Sequence, residues 1–362
     1  MRVHNFSGGP STLPEEVLQR CKESVLEFEA EGMGIFELGH RSKAFSRILD
    51  EIKSDLKELL EIPDSHEILF CTGGASLQFS MIPLNLGSLE SREVSGNYYL
   101  LSGHWAKAAM AEALSIAGAS VAGSSEENGF RILPDVTEDI SCASYLHFTS
   151  NNTIYGTQLR GEPSGVPVSV PLLCDASSDI LSRPIDVSKY GLIYAGAQKN
   201  MGTAGVTLVI IRRDLIKKKR SGVPVLLQYE TYRESDSLYN TPPVSAIIVM
   251  REMLKWTRKQ GTLEEIGRIS ERKSKMLYDF IDSSDFYQGF ADSASRSCMN
   301  ITFNLVDRVF EERFLSFMNS HGVVGLSGHR SVEGFRASLY NSVSEEKVKI
   351  LVELMREFES VI

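Results

Sequence analysis

Two apolar runs, Leu192-Ile193-Tyr194-Ala195 and Val206-Thr207-Leu208-Val209-Ile210-Ile211, flank Gly196-Ala197-Gln198-Lys199-Asn200-Met201-Gly202-Thr203-Ala204-Gly205. Apolar runs of this length, bounded by small residues, read as buried strands. The connection reads as a tight turn with Lys199 at its crest. A lysine placed there is held on rigid supports and projects into a cavity. Most turn lysines are simply solvated, and one lysine alone would not move that expectation.

A second run changes the balance. Pro171-Leu172-Leu173-Cys174-Asp175 is another apolar strand, and it ends in an acid. A partly desolvated lysine amine is neutral often enough to attack an aldehyde. An acid facing a pyridine nitrogen keeps that nitrogen protonated, so that the ring draws electrons. Together the two residues are what pyridoxal phosphate requires.

The same strand signature recurs along the chain. Ile68–Cys71, Tyr98–Leu101, Ala119–Ala122 and Tyr145–Thr149 are apolar runs, with helix-length spacers between several of them. Such spacing implies crossover connections and a mostly parallel sheet of the seven-stranded type, sandwiched by helices. Helices are expected from Pro14 to about Ala30, from Ser42 to Leu60, from Leu77, from Trp105 to Ala117 and from Val244 to Gln260. Residues 214–242 read as loop-rich. Gly261 is the expected helix cap and domain boundary. Beyond it the texture is α+β: helices at Leu263–Phe280, Phe310–Ser320 and Glu345–Phe358, with strands at Asn300–Asn304 and Phe335–Ser338. The expectation is an α/β large domain over 16–260 and a smaller α+β domain formed by 1–15 and 261–362.

Composition narrows the partners. A net charge of −9 argues against nucleic acid and anionic membranes. No stretch is long and apolar enough to span a bilayer. The N-terminus Met1-Arg2-Val3-His4-Asn5-Phe6 lacks the apolar core of a signal peptide. The five cysteines are scattered and odd in number, which suits free thiols better than disulfides or a metal site. A cytoplasmic protein without metal is expected.

Other residues gain meaning beside Lys199. Thr72-Gly73-Gly74-Ala75-Ser76 joins a strand to a helix, and such a turn points backbone N–H groups at an anion. Alone it is a weak signal. Trp105 is either core packing or a flat surface for a ring. The polar run Thr149 to Gly156, with Thr153, follows a strand end, where ligands bind in open α/β sheets. Gly39-His40-Arg41-Ser42 and Gly328-His329-Arg330-Ser331, with Arg336 nearby in sequence, suit a multiply anionic substrate.

In this order these segments resemble one family over essentially the whole chain, the phosphoserine aminotransferases, which are fold-type-I, class V pyridoxal-phosphate enzymes. Asn5-Phe6-Ser7-Gly8-Gly9-Pro10, Gly103-His104-Trp105, Thr153-Ile154-Tyr155-Gly156, Asp175-Ala176-Ser177-Ser178 and Asn240-Thr241-Pro242-Pro243 carry the resemblance, as do the segments already named. The resemblance implies that Lys199 bonds the cofactor aldehyde and Asp175 pairs with the ring nitrogen. Trp105 stacks on the ring and Thr153 bonds its oxygen. Ala75, Ser76 and Gln198 hold the phosphate, with Asn240 and Thr241 of a second subunit, so a homodimer with shared active sites is implied. Arg41 and Arg336 would anchor the substrate, helped by His40, His329 and Arg330. The expected substrates are phosphoserine with 2-oxoglutarate, against 3-phosphohydroxypyruvate with glutamate, in serine biosynthesis. A second keto acid, 3-hydroxy-2-oxo-4-phosphobutanoate of pyridoxine biosynthesis, is left open. The chain departs from some members in having Ser76 where they have arginine and Gly8 where they have serine.

Four rivals stand beside this reading. An alanine– or serine–glyoxylate aminotransferase of class V would not need so many His/Arg positions. A cysteine desulfurase would need a cysteine on a mobile loop, whereas Cys298 sits at a strand start. A non-catalytic pyridoxal-phosphate protein would be expected to lack Lys199 or Asp175. A hydride-transfer enzyme would show a glycine-rich dinucleotide fingerprint after its first strand, and none is present.

Overall fold

The computed structural model of the protein describes residues 2–87, 96–329 and 332–362. Its centre is a seven-stranded sheet. The strands are β1 (His66–Thr72), β2 (Asn97–Leu101), β3 (Ser120–Ser124), β4 (Tyr145–Thr149), β5 (Leu172–Asp175), β6 (Leu192–Gly196) and β7 (Val206–Arg212). Their spatial order is β1-β7-β6-β5-β4-β2-β3. β2 to β6 pair in parallel, while β7 runs antiparallel to both β6 and β1. The turn that carries Lys199 causes this reversal. It is too short for a crossover, so the chain returns beside itself in the opposite direction.

β5 and β6 are buried along their whole length, as strands covered by helices on both faces must be. One face packs on helices Lys43–Leu59 and Val244–Lys259, through Phe45, Ile48, Ile52, Ile247 and Leu254. The first of these helices is capped by Ser42, whose hydroxyl accepts from the Phe45 N–H at 3.1 Å. The other face packs on helices Leu77–Leu86 and His104–Ile116. A separate apolar core joins Phe6 to Leu277, Phe303, Phe314, Phe335, Leu351 and Phe358. It is built around the three-stranded antiparallel sheet of Tyr287–Gly289, Asn300–Leu305 and Phe335–Ser338. Gly261 lies between the two regions at φ +108°, a conformation that favours glycine, and its N–H bonds the Arg258 carbonyl.

Several boundaries differ from the sequence expectation. The first helix is Glu15–Ser24 and stops short of Ala30. The chain folds back because Phe28 N–H bonds Met33 O and Ile35 N–H bonds Ser24 O, with Glu29 and Ala30 at positive φ. This hook puts Phe28 in the core at 1% exposure. Residues 214–242 contain a short helix, Tyr229–Glu234. Six residues carry too little periodicity to read, and the helix is fixed by tertiary contact: Tyr229 Oη donates to buried Gln78 Oε1 at 2.7 Å. In the N-terminal segment, His4–Asn5 pairs in parallel with Val323–Val324. All five cysteines are free. Cys71, Cys174 and Cys298 are buried, Cys21 is half-buried and Cys142 is exposed.

Candidate active site

A cavity of about 390 Å³ opens at the carboxyl ends of β4, β5 and β6. Lys199, Asp175, Ala75, Ser76, Trp105, Thr153, Gln198, His329 and Arg336 all line it. These residues come from segments far apart in sequence, and the sheet brings them to one mouth.

Lys199 lies on the turn after β6. The turn is braced from above by the N-terminal loop: Ser11 N–H bonds Gln198 O at 2.9 Å, and Ser11 Oγ donates to Lys199 O. Gly9, at φ +144°, lies beside the lysine stem, where a Cβ would stand in ordinary van der Waals contact with Lys199 Cγ, at 3.7 Å. Burial pushes the Lys199 amine below its ordinary range; the Asp175 charge opposes that push and the Arg336 guanidinium adds to it. A lowered lysine is the nucleophile that an aldehyde needs.

Asp175 closes β5 and is 7% exposed. It accepts the Ser177 N–H at 3.0 Å. Burial raises its pKa, while the Ser177 contact and Lys199 work the other way. Thr149, paired with Asp175 in register across β4 and β5, also lines the cavity, and its buried hydroxyl has no hydrogen-bond partner among the described residues. That hydroxyl is free for a bound molecule. Trp105 Nε1 donates to Thr153 Oγ1 at 3.2 Å, which fixes the indole at the wall of the cavity.

The turn after β1 is shaped for an anion. Gly73 adopts φ +103°, its N–H bonds Gly205 O, and Thr207 Oγ1 donates to Gly73 O at 2.9 Å. Leu77, Gln78 and Phe79 donate back to Gly74, Ala75 and Ser76. The Gly74, Ala75 and Ser76 N–H groups have no backbone acceptor among the described residues, and they stand at the start of helix Leu77–Leu86 beside the cavity. A ring aldehyde facing Lys199, a ring nitrogen facing Asp175 and a phosphate on these amides are compatible demands on one cavity. The residues present fit pyridoxal phosphate.

Arg336 is the candidate for a second anion site. Burial pushes its guanidinium downward, yet arginine stays charged. Among the described residues no carboxylate pairs with it; it donates to Thr153 O at 3.1 Å and its buried Nε is unpartnered. Gly8 makes room for it, because a Cβ there would lie 2.3 Å from Arg336 Nη2. A buried guanidinium without an acid is a receptor for a carboxylate or phosphate. Replacing Arg336 by Met is expected to cost about 2–5 kcal/mol of binding, roughly 30-fold or more in KM for acidic substrates, with a smaller change in kcat. Steady-state kinetics with both substrate pairs check this.

Not every expected residue converges. His40 and Arg41 lie before helix Lys43–Leu59, the first half-buried and the second exposed, and neither lines this cavity. Asn240 and Thr241 are exposed and also outside it. Arg330 falls outside the described residues. His329 is at the rim, its ring 5.6 Å from that of His104. The sequence reading gave no site role to Phe79, Asn151 or Ser178, which also line the cavity. Asn151 was legible as part of the polar run after β4. Phe79 belongs to a stretch, Phe79 to Leu86, that shares the family resemblance, but its residue type alone does not separate it from core packing.

Comparison with known proteins agrees with this geometry. The class-V aminotransferase family matches residues 3–351. The chain is 46% identical to a phosphoserine aminotransferase of Lysinibacillus sphaericus over 99% of this chain and 98% of the relative. The solved phosphoserine aminotransferase of Bacillus circulans subsp. alkalophilus superposes with a TM-score of 0.94 at 43% identity, covering 99% of each chain. The pyridoxal-phosphate-bound phosphoserine aminotransferase of Trichomonas vaginalis gives a TM-score of 0.88 at 34% identity, over 98% of this chain and 100% of that one. Family, fold and cavity coincide: the chain belongs to the class-V aminotransferases, and within them to the phosphoserine aminotransferases.

Proposed function

We propose that the protein exchanges an amino group between O-phospho-L-serine and 2-oxoglutarate, with 3-phosphohydroxypyruvate and glutamate as the other pair. The observation that carries this is the cavity holding a lowered lysine, a buried aspartate and an unpaired buried arginine together. When bound, pyridoxal phosphate supplies an aldehyde for amine exchange and a ring that withdraws electrons from the substrate Cα. Lys199 Nζ is the proton carrier. It would take the proton from the substrate Cα and deliver it to the cofactor carbon that carried the aldehyde, from the one wall of the cavity on which the lysine stands. The Asp175 carboxylate holds the positive charge of the ring nitrogen. Trp105 offers its face to the ring, with its own N–H already committed to Thr153. The amides of Gly74 to Ser76 hold the cofactor phosphate. Arg336 orients the substrate through an anionic group.

The surface residues complete the proposal. His40, Arg41, Asn240 and Thr241 lie away from this chain's own cavity. Close to them in sequence are exposed apolar side chains: Leu26 (86%), Phe36 (72%) and Tyr239 (49%). A second copy of the chain would cover these, and Asn240 and Thr241 would reach its cofactor phosphate while Arg41 met its substrate. The division into 16–260 and 1–15 with 261–362 is supported by the two apolar cores, apart from Leu263 and Ile266, which pack into the first. No helix among the described residues is long and apolar enough to cross a membrane, and free thiols are compatible with the cytoplasm.

The test is the visible spectrum of the cofactor-loaded protein during titration with L-phosphoserine, then L-serine and L-alanine. Phosphoserine should bleach the yellow form to the amine form at concentrations where the other two do not. Equal conversion by alanine overturns the phosphate-selective reading in favour of a glyoxylate-type aminotransferase. Absence of colour after adding the cofactor overturns the enzyme reading.

A further inference from the structure

Lys273 sits on helix Leu263–Ser283 and is fully buried, with 0% exposure. Among the described residues it has no ion-pair partner. Its Nζ instead donates to three backbone carbonyls: Leu339 at 2.9 Å, Tyr340 at 3.0 Å and Val343 at 2.9 Å. An ammonium has three donors, and all three are used on one short turn. Burial pushes this amine down, to about 7, with the Glu345 charge opposing. The three carbonyl dipoles also favour the charged form.

The clamped turn reaches the active site by two arms. Tyr340 Oη donates to Gly8 O at 2.8 Å, and Gly8 is the residue pressed against the Arg336 guanidinium. Asn341 N–H donates to Asn200 Oδ1 at 3.0 Å, and Asn200, fully buried, is the neighbour of Lys199. Asn200 is anchored in turn on Ile180 O, and Asn341 Nδ2 on Leu181 O. The turn also follows directly on strand Phe335–Ser338, which carries Arg336.

From this convergence we propose that Lys273 is a positioning residue: its three carbonyl bonds hold the 339–343 turn so that one arm sets the Lys199 turn and the other sets Arg336. The inference rests on the roles given above to Lys199 and Arg336. One cation thereby couples the proton carrier to the substrate anchor, although it touches neither. A misplacement on the order of 1 Å at such groups costs up to about 100-fold in rate.

The test uses the cofactor-loaded full chain and three variants. Lys273→Met keeps much of the volume and removes the donors. It should raise KM for the acidic substrates and lower kcat, each by about 10-fold or more, and shift the pH midpoint of the visible band. Tyr340→Phe cuts the Gly8 arm and should act mainly on KM. Asn200→Ala removes the Oδ1 acceptor of the Asn341 N–H, cutting the Asn200 arm, and should act mainly on kcat and the spectral midpoint. A Lys273→Met protein that only melts earlier, with KM, kcat and midpoint unchanged below its melting point, overturns the proposal. If that variant does not fold, the other two decide, and unchanged constants in both overturn it equally. A colourless or inactive wild type would instead count against the aminotransferase reading, so the two failures are distinguishable.

Discussion

Lys199→Ala abolishes turnover while the protein stays folded. The expected loss is about 10,000-fold, the upper range for removal of a positioned proton carrier. No other lysine lines the cavity among the described residues, so nothing on hand replaces it. The fold should tolerate the change, because no bond that fixes the turn uses the Lys199 side chain: Ser11 bonds Gln198 O and Lys199 O, and the Asn341 N–H bonds the Asn200 side-chain Oδ1. Removing a buried amine also removes a desolvation cost, so stability should hold or rise. Two measurements separate this from collapse of the site. The variant should still take up the cofactor, held by the Gly73–Ser76 turn and Trp105, but release it on gel filtration. A small external amine should then restore part of the rate, since the cavity can admit one. A variant retaining a tenth of the wild-type kcat would refute the role given to Lys199.

The second large effect is at Asp175. Asp175→Asn keeps the shape and the acceptor for Ser177 N–H but deletes the charge. Loss of one preorganised charge facing the ring nitrogen should cost about 1,000-fold in kcat, with KM little changed. The same substitution has a consequence for Lys199 whose sign is fixed. The carboxylate favours the ammonium form of Lys199 and so opposes the downward push of burial. Without it the Lys199 pKa falls further. In the cofactor-free variant, the pH above which Lys199 bonds a simple aldehyde should therefore move down relative to the cofactor-free wild type. Removing Arg336, whose charge lowers Lys199, should move that pH up. If both substitutions move it in one direction, the charge arrangement described here is wrong.

Much of this was legible in the chain. The strands of the central sheet announce themselves because a strand covered on both faces must be apolar throughout, and Leu172–Cys174 and Leu192–Ala195 are. The Lys199 turn and the Gly73-Gly74 turn are legible because short connections demand small residues at fixed places. Asp175 stands out as an acid ending an apolar strand. What local pattern cannot carry is convergence. Arg336, Gly8 and Thr153 are distant in sequence, and only the packing of the N-terminal loop and the small sheet over the mouth of the large one makes them neighbours.

The same limit explains the residues that the chain keeps apart. His40 and Arg41 look like site residues by type, yet a type says nothing about the direction in which the fold presents it: neither lines this chain's own cavity, while Asn240 and Thr241, expected at a second subunit's cavity, are exposed. Lys273 is the reverse case. In the sequence it is one more charged residue on an amphipathic helix; in the structure it is buried and spends its donors on a turn 66 to 70 residues away. Sequence alone determined the elements and the chemistry of the Lys199–Asp175 pair, since hydrophobic period and turn composition act over a few residues. Tertiary structure decided which anion receptor faces that pair and what holds both in place, since those contacts are made between segments that only the folded chain brings together.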